Sequence, residues 1–150
     1  MKIFSVDKIR EADTSTINNE PISSIDLMER ASTQLFNWIK EHVTTEKKIN
    51  IFCGLGNNGG DGLALGKMLA NSNYQVIINI IRYSEKTSDD FQINYNRLTG
   101  ISGITIVDIK ETNELQNIEP EDVVIDAIFG SGLTKPVKGV IGEIVRFINE

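Results

Sequence analysis

The chain has 150 residues, 40% hydrophobic and 24% charged, which is typical of a single globular domain rather than of a disordered or fibrous protein. Its formal net charge of −6 excludes the broad positive field on which non-specific nucleic-acid binding depends, so no nucleic-acid partner is expected. One cysteine and one histidine cannot form a disulfide or a zinc site. The first residues lack a signal-peptide pattern, and no apolar stretch approaches the roughly 20 residues of a membrane span, so we expect a cytoplasmic protein.

Helices and strands are predicted to alternate along the chain. Apolar residues at helical spacing predict a first helix over residues 5–19 and a second over residues 23–41, where Ser23 and Asp26 resemble a helix cap. The further predicted elements are, in chain order, a strand at 49–53, a helix from 63 to about 71, a strand at 74–81, a helix at 87–98, a strand at 104–107, a short helix or turn at 111–118, a strand at 122–129 and a helix at 140–149.

The strands are continuous apolar runs, which is the pattern of strands buried on both faces of a parallel sheet. Together with the alternating helices, this predicts an α/β fold: a three-layer, Rossmann-like parallel sheet with helices on both faces, forming one domain over residues 1–150. In such a sheet, ligands bind at the carboxyl ends of the strands. The loops that follow the first and last predicted strands are therefore the candidates for function.

The first loop is Gly-Leu-Gly-Asn-Asn-Gly-Gly-Asp-Gly, residues 54–62. Its glycines permit positive φ and a close backbone approach, so that backbone amides and the dipole of the next helix can face a phosphate. The loop formally matches the dinucleotide fingerprint, but Arg82 and Tyr83 stand where an ordinary dehydrogenase has an acidic residue. A P-loop is excluded because Leu63 and Ala64, rather than a lysine and a hydroxyl residue, follow Gly62.

Polar residues distinguish this loop from a plain phosphate loop. Asn57, Asn58 and Asp61 lie among its glycines. An Asn amide oxygen and the Asp126 carboxylate at the end of the last strand are suited to share one hard cation, and Asp61 is suited either to cap the following helix or to contact ligand hydroxyls. The second loop, residues 130–136, offers hydroxyl groups, backbone amides and the cation of Lys135.

These two loops resemble those of the YjeF N-terminal domain family, whose enzymatic members are NAD(P)H-hydrate epimerases. The resemblance is carried by residues 54–62 and by Asp-Ala-Ile-Phe-Gly-Ser-Gly-Leu-Thr-Lys-Pro at 126–136. Ala12, Asp13 and Thr16, with Leu-Met-Glu-Arg-Ala at 27–31, extend it to the amino-terminal helices. It implies an enzyme that interconverts the R and S forms of hydrated NADH and NADPH, in which water has added to the nicotinamide ring, for metabolite repair.

The resemblance also implies a set of site residues and partners. The expected contacts to the hydrated dinucleotide are Asn57, Asn58, Gly59, Gly60 and Asp61, and those to its phosphates are Gly130, Ser131, Gly132, Leu133, Thr134, Lys135 and Pro136. Asn58 and Asp126 are the expected ligands of one potassium ion per subunit. The expected partners are a second copy of the chain and an ADP- or ATP-dependent NAD(P)H-hydrate dehydratase, often fused at the carboxyl end.

One family feature is missing from the sequence. Family members carry a later Val-Asp-x-Pro-Ser-Gly loop whose Asp resembles the acid-base residue and whose Ser completes the ion site, and no Pro-Ser-Gly occurs up to Glu150. We therefore expect a domain shortened at its carboxyl end, with its catalytic residue beyond Glu150, so the resemblance does not imply activity of these residues alone. The alternative interpretation is a non-catalytic nucleotide-binding or scaffold domain of the same fold.

Overall fold

A computed structural model describes residues 4–131, 133 and 136–150, which form five α-helices, one 3-10 turn and four β-strands. The bounds of the helices are α1 Val6–Asn19, α2 Ser24–His42, α3 Asn57–Ala70, α4 Asp89–Asn96 and α5 Gly139–Phe147. The strands are β1 Lys48–Cys53, β2 Gln75–Ile81, β3 Ile104–Ile109 and β4 Val123–Ala127, with the 3-10 turn at Thr112–Glu114. In the described part of the chain, no helix is long and apolar enough to cross a membrane.

The four strands form one parallel sheet in the order β3-β2-β1-β4. Ile51 of β1 lies opposite Ile78 of β2 on one side and Ile125 of β4 on the other. The strand order reverses next to β1, so the loops that follow β1 and β4 meet at the same edge of the sheet. This is the switch point at which open α/β sheets bind ligands.

Helices cover both faces of the sheet, which confirms the three-layer prediction. Ile51 and Cys53 of β1 belong to the core cluster that also contains residues of α2, α3 and α4. Phe52, between them, points to the opposite face and belongs to a second cluster with Ile144 of α5. Because successive strand residues face opposite sides, a strand covered on both sides reads as a continuous apolar run.

Serine residues are the N-caps of three helices. The hydroxyl oxygens of Ser5, Ser23 and Ser88 accept backbone N–H groups three residues further on, at 3.2 to 3.4 Å. The cap predicted at Ser23 is confirmed. Helix α1 differs from the others because none of its residues is buried, so it rests on the surface of the fold.

Several predicted boundaries differ from those in the structure. Helix α3 begins at Asn57 rather than at residue 63, because the glycine segment continues into the helix with Gly59, Gly60 and Gly62 buried against neighbouring elements. The last strand ends at Ala127 rather than at residue 129. The third strand extends to Ile109 because the Arg82 amide donates to its carbonyl, and residues 111–118 form only the short turn at Thr112–Glu114.

Candidate functional site

Two glycines of the first loop are required by close backbone packing. The Gly54 amide donates to the Ala127 carbonyl at 3.1 Å, and a Cβ on Gly54 would collide with the backbone carbonyl of Ile128. A Cβ on Gly59 would collide with the Gly54 carbonyl. The predicted close approach is therefore confirmed, whereas the predicted use of positive φ is wrong: in the described residues the positive-φ glycines lie at positions 100, 103 and 139.

The amino terminus of α3 opens toward the loop that follows β4. Gly56 is its N-cap and makes no side-chain hydrogen bond to the first turn, so the first amides of the helix are left without a side-chain acceptor. The helix dipole places partial positive charge at the same point. This end of α3 is suited to an anion.

A cavity of about 630 Å³ lies between the two loops. Its volume falls in the range of pockets that hold small molecules. The first loop and α3 contribute four lining residues, the segment after β4 contributes five, and α1 and the end of β2 contribute the rest. The lining residues are Gly56, Asn57, Asn58, Asp61, Ile128, Phe129, Gly130, Ser131, Leu133, Arg10, Asp13 and Tyr83.

Asn58 and Asp61 line both this cavity and a smaller groove of about 200 Å³. Asn58, Asp61 and Asp126 all line the groove. A Cβ on Gly130 would lie 3.3 Å from the Asn58 Cβ, so the two loops are in contact at Asn58. The two residues of the predicted cation site, Asn58 and Asp126, thus line one groove, and the cation itself stays a prediction.

Asn58 and Asp126 carry side-chain oxygens of the type that hard cations bind. Oδ1 of Asp126 accepts the Ile128 amide at 2.9 Å, which fixes the carboxylate and leaves Oδ2 for another partner. The Asn58 side chain, which lines the same groove, carries an amide oxygen of the kind that hard cations also bind. Among the described residues, no three His, Cys, Asp or Glu side chains are grouped closely enough to hold a metal ion by themselves.

Asp61 is not a helix cap. It is the fifth residue of α3, beyond the first turn, so this alternative from the sequence is wrong. Burial, together with the nearby carboxylates of Asp90 and Asp13, raises the pKa of its carboxyl from 3.8 to about 6, and burial is the largest of these causes. A half-buried carboxyl with a pKa near neutrality is typical of a ligand-contacting or catalytic position.

The predicted site residues fall into three groups. Asn57, Asn58, Asp61, Gly130, Ser131 and Leu133 line the large cavity. Gly59 and Gly60 are buried behind its wall, and Pro136 is exposed and does not line it. Gly132, Thr134 and Lys135 lie outside the described residues, so their predicted phosphate contacts remain predictions.

Apart from Gly56, Ile128 and Phe129, which lie within two positions of predicted site residues, the sequence analysis missed three residues of the cavity. Arg10 and Asp13 of α1 line it, one helical turn apart. The hydroxyl of Tyr83 accepts the Leu55 amide of the first loop at 3.2 Å, and its ring lies 5.8 Å from the Phe129 ring. The sequence offered a signal only for Tyr83, which lies two residues after the end of β2. Nothing in it indicated that α1 would reach the cavity.

Fold and site together define an α/β protein with a cavity where two strand-end loops and a helix amino terminus meet. The family model described as YjeF-related protein N-terminus matches residues 24–150, and the chain belongs to this family. It is 34% identical over 142 residues to the NAD(P)H-hydrate epimerase of Limosilactobacillus fermentum, covering 95% of this chain and 65% of that protein.

Two further comparisons agree with this assignment. The chain is 33% identical over 152 residues to the bifunctional NAD(P)H-hydrate repair enzyme Nnr of Dictyoglomus turgidum, covering 99% of this chain and 29% of that protein. The crystal structure of yeast ynu0 superposes with a TM-score of 0.80 at 23% identity, over 97% of this chain and 64% of that one. The predicted fold is confirmed. The chain spans less than two thirds of the length of each of these three proteins.

Proposed function

We propose that this chain is the substrate-binding part of an NAD(P)H-hydrate epimerase, which interconverts the R and S forms of hydrated NADH and NADPH. The observation that carries the proposal is the cavity between the two loops, where polar residues of α3 meet the loop after β4. The names of the relatives from Limosilactobacillus fermentum and Dictyoglomus turgidum support the same activity.

Each part of the cavity suits one part of a hydrated dinucleotide. The free amides at the start of α3 suit the negatively charged diphosphate. Asn57 and Asn58 offer amide donors and acceptors, and Asp61 offers an acceptor for ribose or ring hydroxyls. Tyr83 and Phe129 provide aromatic surface for a flat ring.

Epimerisation inverts the configuration of the ring carbon that carries the added hydroxyl. In one route the carbon–oxygen bond breaks with proton donation to the departing oxygen, and water then adds to the opposite face and returns a proton. A ring-opening route gives the same result. Either route is redox-neutral and needs acid-base assistance. The residues of the cavity bind and orient the substrate, and we assign the proton transfer to none of them.

A potassium ion held by Asn58 and Asp126 is part of the proposal. The ion would supply positive charge close to the phosphates and tie the two loops together. A monovalent ion polarises water weakly, so we expect it to support substrate binding rather than to activate water. Replacing K⁺ with tetramethylammonium should raise KM, and Asp126→Asn should weaken that dependence on K⁺.

The proposal also includes the partners and location. The bifunctional relatives support action together with an NAD(P)H-hydrate dehydratase that removes the water from the S form. We also propose a homodimer, on the basis of the family resemblance. We propose a cytoplasmic location because a sequence with a single cysteine is typical of proteins in a reducing compartment.

The direct test is conversion of purified R-form hydrated NADPH by the intact protein, measured with a dehydratase that accepts only the S form. We expect acceleration over the spontaneous rate, and we expect Asn57→Ala with Asn58→Ala to abolish most of it. Asn96→Ala, at an exposed site on α4, is the matched control. No acceleration by the intact protein would favour the scaffold interpretation instead.

A further inference from the structure

Helix α1 reaches the large cavity through two polar residues. Asp13 lines the cavity, and Arg10, one turn earlier, lines both the cavity and a separate groove on the surface of α1. None of the residues of α1 is buried, so this helix contributes nothing to the core of the fold. Its polar side chains at the cavity are therefore available to a ligand.

Asp13 and Asp61 are close enough for their charges to interact. Both line the cavity, Asp13 from α1 and Asp61 from α3. Burial is the largest cause of the raised pKa of the Asp61 carboxyl, and the charges of Asp90 and Asp13 add to it. Two carboxyl groups from different helices thus border the same part of the cavity.

The carboxyl groups of Asp13 and Asp61 have no hydrogen-bond donor and no cation as partner within residues 4–131, 133 and 136–150. Ser32 donates only to the backbone carbonyl of Asp61, at 3.2 Å. Asp90, by contrast, accepts the hydroxyl of Ser24 at 2.7 Å. An ionised carboxylate can only accept hydrogen bonds, so the two carboxyl groups of the cavity suit a ligand that brings donors.

The acidic residue that binds ribose in ordinary dinucleotide sites is absent from its usual position. In those sites, an acidic side chain at the end of the second strand accepts a ribose hydroxyl. Here Arg82 directly follows β2, and its guanidinium pairs with Asp108 at 2.6 Å. Among the described residues that line the cavity, the carboxylates are those of Asp13 and Asp61. These two are therefore the acceptors that the cavity offers to a ribose.

We infer that Asp13 is a substrate-binding residue which, together with Asp61, accepts hydrogen bonds from the neighbouring hydroxyl groups of one ribose of the dinucleotide. The inference rests on the proposed function and adds α1 to its site. Charge alone predicts the opposite effect of Asp13, because a carboxylate repels the negatively charged dinucleotide. A loss of affinity when this carboxylate is removed therefore reports a hydrogen bond rather than long-range charge.

The test is calorimetric titration of the intact protein with NAD⁺ and with two analogues, each lacking both the 2′- and the 3′-hydroxyl of one ribose. The titrations require no epimerase activity. We expect one analogue to bind about tenfold or more weakly than NAD⁺, in line with the loss of at least one hydrogen bond to a charged group. The analogue that is affected identifies which of the two riboses is bound.

Variants assign the hydroxyl contact to Asp13. Asp13→Ala should weaken NAD⁺ binding about tenfold and leave the affinity for the affected analogue nearly unchanged. Glu11→Ala removes the same charge from an exposed position of the same helix outside the large cavity, and it should leave both affinities unchanged. Unchanged or tighter NAD⁺ binding by Asp13→Ala, or an equal loss for NAD⁺ and the analogue, would overturn the inference.

Kinetics separate this inference from the proposed function. In an active protein, Asp13→Ala should raise KM and leave kcat within about twofold of the parent, because the contact serves binding. Epimerisation by the parent together with unaltered ribose binding by Asp13→Ala would leave the proposed function standing without the inference. Ribose binding that depends on Asp13 in a protein without epimerase activity would refute the proposed function and leave the binding role of Asp13 standing.

Discussion

The side-chain amide of Asn94 donates a hydrogen bond to the backbone carbonyl of Gly60 at 3.1 Å. Asn94 lies on α4 with 1% of its surface exposed, and Gly60 lies in the first turn of α3 behind the cavity. Its Nδ2 also lies 3.2 Å from the Met28 sulfur of α2. One buried amide thus joins three helices beneath the candidate site.

Asn94→Ala should destabilise the protein by about 2–3 kcal/mol, because it leaves the Gly60 carbonyl without this partner and opens a small cavity. Urea denaturation followed by circular dichroism measures the change. Asn96→Ala deletes the same side-chain atoms at a solvent-exposed position of the same helix. It should cost less than about 0.5 kcal/mol. Equal losses for the two variants would show that the Asn94 contact contributes nothing specific.

Gly59→Ala should prevent stable folding or cost more than about 3 kcal/mol, because the new Cβ would collide with the Gly54 carbonyl and a backbone carbonyl cannot move aside cheaply. Gly56→Ala is the matched control, since a Cβ there meets nothing within 4 Å. Its effect should stay within about 0.5 kcal/mol. The comparison requires only thermal denaturation of the two variants, and a tolerated Gly59→Ala would contradict the packing described.

Tyr83→Phe removes the hydroxyl that accepts the Leu55 amide and keeps the aromatic ring beside Phe129. We expect a loss of about 1 kcal/mol in stability, because Leu55 is buried and its amide loses a partner. Tyr83→Ala removes the ring as well and should weaken dinucleotide binding further. Calorimetric titration with NADP⁺ separates the two contributions, and identical affinities for the two variants would exclude a role for the ring.

The fold could be predicted from the sequence because its signals are local. The run from Ile49 to Cys53 is apolar at every position except Asn50, and the structure buries these residues between strands and helices. Asn50 is tolerated there because its amide donates to Asp122 at 3.1 Å. That pairing spans 72 positions in the chain, so no local pattern indicated it.

The candidate site could be predicted only where its residues follow strands in sequence. Asn58 closely follows the end of β1, and Asp126 is the penultimate residue of β4. Both residues line one groove at the carboxyl ends of these strands. Arg10 and Asp13 come from a helix with no buried residue, and their place at the cavity depends on tertiary packing alone. The start of α3 was missed because glycines and asparagines disfavour a helix locally, whereas close packing requires small residues there.

Asp61 makes stability depend on pH. Its pKa is about 6 in the folded protein and 3.8 without the fold, so the folded state binds the proton more readily. The contribution of Asp61 to the free energy of unfolding should therefore be largest below pH 4. It should fall as the pH rises from about 4 to about 6. Because the side chain is partly exposed, the fall should be about 1–2 kcal/mol.

Asp61→Asn should remove this fall, because the amide stays neutral at every pH. The variant should be about 1–2 kcal/mol more stable than the parent at pH 7.5 and about equal to it at pH 4. Urea titrations at a series of pH values give the two curves. Glu143→Gln, at an exposed site on α5, changes the net charge by the same amount. Its free energy of unfolding should depend on pH in the same way as that of the parent. If the stability of Asp61→Asn has the same pH dependence as that of the parent, the Asp61 carboxyl ionises in the folded protein as easily as in the unfolded chain. Burial and the neighbouring Asp13 and Asp90 would then not raise its pKa.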